Sequence, residues 1–242
     1  AIRARAERPS RSGFVARGSR PCQIEVEFPG MESETLPQRY GRNSGAEMRR
    51  GAYLPHLTAD NAMYAVTFRL ADSVPRSLLD KWRAEREDIL RSAQQAGRPL
   101  SAFGTRRLRD VFSREVDQHL DRGAGACWLK DDSIAAVAAR ALRHFDGDRY
   151  LLLAWCVMPN HVHAVVQPEK GHELPDIVHS WKSFSAKRAN EMLRRRGRFW
   201  HTEYYDHLIR NDRDLEHSVQ YVLQNPEKAG LKNWRWKGCA NV

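Results

Sequence analysis

The apolar run Tyr150-Leu151-Leu152-Leu153-Ala154-Trp155-Cys156-Val157, the turn Met158-Pro159-Asn160 and the stretch His161 to Gln167 constrain the fold of this 242-residue chain most. The first run has strand composition, Pro-Asn is a turn signal, and His161 to Gln167 reads as a second strand, so the two form a hairpin. Successive side chains of a strand point to opposite faces. Val162, Ala164 and Val166 therefore make a buried face, and His161 and His163 stand side by side on the other, where one divalent metal could reach both. The plain alternative is a half-exposed strand with two ordinary histidines, and a third ligand and a reacting group elsewhere would decide against it.

A downstream helix offers both. From Asp212 to Gln224 the residues Leu215, Val219, Val222 and Leu223 recur at helical spacing, with Asn211 and Asp212 as capping candidates and Pro226 near the end. Tyr221 and Asn225 lie one turn apart on the same side, off the apolar stripe. Without the histidine pair, Tyr221 would read as a half-buried aromatic on the helix shoulder and Asn225 as a C-cap before proline.

The remaining elements alternate in type. Met63 to Leu70 is a strand with Tyr64, Val66, Phe68 and Leu70 on one face. Two helical stretches, Arg76 to Gln95 and Arg106 to Leu120, are separated by Gly97, Pro99 and Gly104 and form an insertion over about 76–122. Ser133 to Phe145 is an amphipathic helix, with Ile134, Val137, Ala138, Ala141, Leu142 and Phe145 as its stripe and Ser133 as its N-cap. After the hairpin come a long helix from about Pro175 to Arg196, a strand within Glu203 to Arg210, and the Tyr221 helix. This order is that of an α+β, ferredoxin-like (RRM-like) sandwich with a central antiparallel sheet. The expected organisation is a disordered extension over 1–50, rich in Arg, Ser, Gly and Glu, one domain over 51–236, and a tail over 237–242.

On the long helix, Ile177, Trp181, Phe184 and Met192 can bury one side while Lys182, Lys187, Arg188 and Arg194 to Arg196 supply positive charge. Such a stripe could track a phosphate backbone, with Lys182 and Arg188 the first candidates. A solubilising face with a basic end that complements the helix dipole explains the same charges. The formal charge of +10 and a pI near 9.8 suit a polyanionic partner. No stretch is apolar and long enough to span a bilayer, and no apolar signal region opens the chain. The four cysteines, Cys22, Cys127, Cys156 and Cys239, are dispersed without Cys-x-x-Cys spacing, which favours buried thiols in a reducing cytosol over a structural zinc.

Taken together, His161-Val162-His163 and Tyr221-Val222-Leu223-Gln224-Asn225-Pro226-Glu227-Lys228-Ala229-Gly230-Leu231 resemble the single-tyrosine HUH transposases, and most nearly their REP-associated tyrosine transposase branch, with the IS200-like transposase domain. Phe145-Asp146-Gly147, Trp155 to Asn160, Ser180 to Phe184 and Phe199 to Asp206 add to the resemblance, which covers roughly 52–236. It implies the same fold, Tyr221 as the nucleophile that cuts single-stranded DNA, and His161, His163 and Asn225 as ligands of Mg²⁺ or Mn²⁺. It also implies single-stranded or hairpin DNA as partner and a cytoplasmic, nucleoid-associated protein, and leaves open a homodimer whose tyrosine helix acts in cis or in trans.

The residue types suit that chemistry. Two neutral imidazoles and an amide would leave the charge of a cation available to polarise a phosphate oxygen, and a phosphotyrosine linkage preserves the phosphodiester energy, so that no Walker-type glycine loop is needed. Trp200, Tyr204 and Tyr205 are candidates for stacking on bases. Two function classes follow: a metal-assisted DNA strand transferase acting through phosphotyrosine, and a DNA-binding regulator or domesticated relic of the same fold. A phosphodiesterase using activated water is a third reading.

Overall fold

Tyr64, Val66 and Phe68 are buried and alternate with Ala65, Thr67 and Arg69 along the strand on which the sheet is built. The computed structural model describes residues 47–50, 55–58, 62–97 and 115–240. In chain order its elements are β1 (Glu47–Arg50), β2 (Pro55–Thr58), β3 (Tyr64–Arg69), α1 (Arg76–Gln95), α2 (Val116–Asp121), α3 (Asp132–Arg143), β4 (Tyr150–Val157), β5 (His161–Pro168), α4 (Leu174–Met192), β6 (Tyr205–Leu208), α5 (Asp212–Lys228) and β7 (Lys237–Cys239). Five strands make one antiparallel sheet in the order β6-β3-β5-β4-β7. Strands β3 to β6 with α3 and α4 form a β-α-β-β-α-β unit, the ferredoxin-like sandwich expected from the sequence.

One face of the sheet carries the apolar core. Val162, Ala164 and Val166 join Tyr64, Val66 and Phe68 there, beneath Ile134, Ala138 and Leu142 of α3 and Ile177, Val178 and Trp181 of α4. Two polar groups buried in this layer form a relay: the Trp181 indole donates to the Tyr150 hydroxyl at 2.8 Å, which donates to the Leu142 carbonyl at 2.8 Å. The other face, with His161 and His163, packs against α5.

The structure departs from the sequence reading at several ends. The α3 N-cap is Asp131, because its carboxylate accepts from the Ser133 backbone N–H at 2.7 Å and from the Ser133 hydroxyl at 2.6 Å. Helix α4 stops at Met192, and Arg194 takes a left-handed conformation, so the Arg194 to Arg196 cluster lies beyond the helix. Phe184 and Met192 are exposed rather than buried, and Ser185 and Ala189 take the inward positions instead. Pro226 sits inside the last turn of α5, and Ala229 is the C-cap. The tail is not separate, since β7 adds to the sheet edge through Ala154↔Cys239 and Cys156↔Lys237. Gly238 permits this approach: a Cβ there would lie 2.8 Å from the Trp155 indole nitrogen.

Strand β1 occupies the last four residues of the expected extension and pairs with β2, which short segments without apolar alternation do not announce. The expectation for 1–46 lies outside the described residues, as does the 106–114 part of the second inserted helix. Among the described residues no helix is long and apolar enough to cross a membrane. Among the described residues Cys127 and Cys156 are free and buried.

Candidate active site

Strand β5 delivers the two histidines to a dry position. His161 is 0% and His163 2% exposed, so the half-exposed strand does not exist. Each ring is held from behind. The Asn160 amide nitrogen donates to the carbonyls of Leu120 and Ala124 at 3.1 and 2.9 Å, which turns its oxygen toward His161 Nδ1 at 2.7 Å. An amide oxygen only accepts, so His161 carries its proton on Nδ1 and keeps a lone pair on Nε2. His163 Nδ1 lies 2.8 Å from the Thr67 hydroxyl, its register neighbour on β3, and Thr67 suits either tautomer. The two Nε2 atoms face each other at 2.9 Å. Burial drives the His163 pKa down to about 3 and that of His161 well below its usual value, with the neighbouring ring adding to the effect at His161. Both imidazoles are therefore neutral, as metal ligation requires.

Helix α5 crosses this face because its apolar stripe, Leu215, Val219 and Val222, must be covered. Asn211 caps it by accepting from the Asp214 N–H at 2.9 Å, and Lys237 of β7 ties its far end through the Leu223 carbonyl and the Glu227 carboxylate. The Tyr221 ring packs edge-on against His163, with centroids 5.5 Å apart at 83°, and Lys228 lies 5.2 Å over the Tyr221 ring. Asn225 is 1% exposed, and neither polar atom of its amide makes a hydrogen bond. It is inside the helix, not the C-cap, and lies near enough to the Tyr221 hydroxyl to favour the phenolate.

Helix α2 closes the site with two carboxylates that sequence reasoning missed. The Tyr221 hydroxyl donates to Asp117 Oδ2 at 2.9 Å, and Asp121 Oδ1, which has no hydrogen-bond partner, lies 3.9 Å from His161 Nε2. Burial raises the Asp117 carboxyl to about 7, opposed by the Tyr221 hydrogen bond and aided by Asp121. Asp121 is raised to about 6 by burial, with Lys228 opposing. Tyr221 is pushed well above the ordinary phenol range, by burial first and by Asp117 beside it second. The only signal for these residues was their i, i+4 spacing, and the segment gave no reason to place it over the hairpin.

Among the described residues no group of three or more His, Cys, Asp and Glu side chains is placed to hold a cation; the third donor expected from the sequence is an amide. The groups that could hold one are Nε2 of His161 and His163 and the Asn225 oxygen. They fit: the two Nε2 atoms converge, both rings are neutral and oriented from behind, and the buried Asn225 amide makes no hydrogen bond. Cys156 is the register neighbour of His163, but burial pushes its thiol up, so it stays protonated beside the pair.

A cavity of about 200 Å³ adjoins the site, with Asp117 in its wall. Arg69, Arg83, Arg86 and Arg198 line it with Trp82, Tyr204 and Tyr205. Tyr205 opposes Thr67 in register, in the row that contains His163. Trp200 corrects the expectation of a stacking residue: it is 4% exposed, its indole donates to Ser185 at 2.9 Å and its ring packs on Phe68. Lys182 is turned inward, donating to the Thr202 carbonyl at 2.7 Å, and burial lowers it to about 8. Arg188 pairs with Glu191 at 2.7 Å on the exposed side of α4 and is absent from the cavity wall.

Residues 129–225 match the family model of IS200-like transposases. A REP-associated tyrosine transposase of Escherichia coli K12 is 29% identical over 77 residues, covering 32% of this chain and 44% of the relative. A Haemophilus influenzae protein described as belonging to the same group is 27% identical over 96 residues, covering 34% and 54%. The chain thus spans about half the length of the curated relatives it matches. A solved REP-associated tyrosine transposase bound to a REP hairpin aligns over 79% of this chain and 81% of its own, at 17% identity and a TM-score of 0.41.

Proposed function

From the match of residues 129–225 to the IS200-like transposase family, we propose that this chain cuts and rejoins single-stranded DNA with Tyr221 as nucleophile. The observation that carries the reading is the edge-on contact of Tyr221 with His163, whose Nε2 is 2.9 Å from that of His161. Packing alone needs neither a polar hydroxyl, nor two facing imidazole nitrogens, nor a buried amide without a partner.

His161, His163 and Asn225 are the ligands of a divalent cation, Mg²⁺ or Mn²⁺. When bound, such a cation supplies Lewis-acid polarisation of a phosphate oxygen. Thr67 and Asn160 fix the ring orientations, so no reorganisation is needed at the moment of reaction. Tyr221 Oη attacks phosphorus and forms a phosphotyrosine ester, and Lys228 over the ring favours charge developing on the phenol oxygen. Substrate reaches the site along the cavity whose wall contains Asp117. Arg69, Arg83, Arg86 and Arg198 contact phosphates there, and Tyr204 and Tyr205 offer ring faces to unstacked bases. A regular duplex offers no such bases, so the substrate is single-stranded DNA or the loop and flank of a hairpin.

The test is a covalent trap. Full-length chain incubated with labelled single-stranded hairpin oligonucleotides and Mg²⁺ should give a slow-migrating adduct on denaturing gels, and Tyr221→Phe should give none while binding the same DNA within a few fold. An adduct that persists in Tyr221→Phe moves the nucleophile to another residue and ends this reading.

A further inference from the structure

We propose that Asp117 is the general base of the reaction, taking the Tyr221 proton as the phenol oxygen attacks phosphorus and returning it when the strand is rejoined. The proposal rests on Tyr221 being the nucleophile. Its ground is placement: Asp117 Oδ2 accepts the Tyr221 hydroxyl at 2.9 Å from a different helix, at the only proton that must leave for the attack to proceed.

Tyrosine needs such a partner here. A phenol ordinarily ionises at about pH 10, so at neutral pH the phenolate is scarce beforehand and the proton must go during attack. The other basic groups nearby are committed elsewhere. His161 Nδ1 faces Asn160, His163 Nδ1 faces Thr67, and their Nε2 atoms face each other. The groups facing Asp117 are Tyr221 on α5 and Asp121 on its own helix, and Arg83 and Arg86 share the cavity wall with it. The Asp117 carboxyl, raised to about 7, stands where a base is most effective at neutral pH, half-ionised and able to give the proton back.

The step balances without another reactant than water. The Tyr221 Oη–P bond forms while the hydroxyl proton moves along the existing hydrogen bond to Asp117. The P–O bond to the departing sugar oxygen breaks, its electron pair stays on that oxygen, and a water molecule protonates it. The proton on Asp117 neutralises the hydroxide left behind. Rejoining runs the same transfers backward.

A small probe separates this role from a structural one. Thymidine 5′-p-nitrophenyl phosphate carries a leaving group that departs without a proton, so only the attack is read, as one equivalent of p-nitrophenolate and a nucleotide adduct on Tyr221 located by mass spectrometry. With the full chain and Mg²⁺, Asp117→Asn should slow adduct formation roughly a hundredfold or more, and Asp117→Glu should restore part of the rate. The unaltered chain should show a rate that rises with pH and levels near neutrality, where Asp117→Asn rises in proportion to hydroxide. The unaltered chain should also react more slowly in D₂O, a readout that needs no variant. An unchanged or faster Asp117→Asn reaction with the same pH profile, or no slowing in D₂O, overturns the base and makes Asp117 a latch, while Tyr221 remains the nucleophile. Absence of any Tyr221 adduct in the unaltered chain, or equal labelling of Tyr221→Phe, overturns the nucleophile and the base together.

Discussion

His161 and His163 hold their Nε2 atoms 2.9 Å apart, a separation at which at most one of the two carries a proton. His161 is fixed by Asn160 as the Nδ1–H tautomer, so the proton between the two rings sits on His163 Nε2 and the Thr67 hydroxyl donates to His163 Nδ1. A cation held by both Nε2 atoms, as proposed, would require that proton to move to Nδ1, with Thr67 as the acceptor. A hydroxyl serves both states by rotation alone.

Thr67→Val and Asn160→Ala should therefore weaken cation binding without touching a ligand. Loss of an orienting partner behind a metal-bound histidine typically costs about 10–100-fold in affinity. Calorimetric titration with Mn²⁺ checks this, and affinities within twofold of the original would show that the rings need no support.

Asn225→Leu separates stability from ligation. Its amide is buried with both polar atoms unpaired, and leaving such a group unsatisfied costs about 1–3 kcal/mol. Without cation the variant should melt higher than the original chain, yet the Mn²⁺-induced rise in melting temperature should vanish. A variant that melts lower and still responds to Mn²⁺ would place the amide outside the site.

The cavity arginines and the α4 surface should differ in their effect on DNA. Arg86→Ala or Arg198→Ala should lower affinity for a single-stranded oligonucleotide and make log K fall less steeply with log salt, by about one unit of slope for each phosphate no longer neutralised. Arg188→Ala should do neither, because its guanidinium already pairs with Glu191 on a solvent face. Fluorescence anisotropy over a salt series reads both numbers, and the reverse ranking would return the DNA path to α4.

Acid should expose Asp117 in the stability of the fold. Its carboxyl is raised to about 7 in the folded chain against about 3.9 unfolded, so below pH 7 the native state binds a proton that the unfolded state does not, and stability gains as pH falls. His161 and His163, lowered by burial, have the opposite sign: the unfolded chain protonates them below about 6.5 and stability is lost. The two effects oppose each other between about pH 6 and 4. Asp117→Asn removes one stabilising proton, so relative to the original chain it should lose up to about 1.4 kcal/mol per pH unit in that window, less where solvent screens the group. Urea unfolding at pH 8, 6.5 and 5 measures the offset, and an offset constant with pH would contradict the raised carboxyl.

The sequence made the sheet legible because β3 and β5 alternate and β4 is a continuous apolar run between turns. It made His161, His163 and Tyr221 legible because each lies on an element whose period fixes its face. Burial of the histidines was not legible, since nothing local says that α5 and α2 cover that side of the sheet. Asp117 and Asp121 lie at the end of the second inserted helical stretch, and nothing local says which face of the sheet that stretch covers. Trp200 carries no period at all, and its inward turn follows from the partner that Ser185 supplies for its indole.

Asn160 joins what the chain separates. Its nitrogen grips the carbonyls of Leu120, in α2, and Ala124, just beyond it, while its oxygen steers His161. One amide thus makes the position of the carboxylate helix and the lone-pair direction of a histidine a single mechanical variable. Whatever displaces α2 alters how His161 presents its nitrogen, and by reciprocity a ligand bound at the histidine pair would hold α2 with the same coupling free energy.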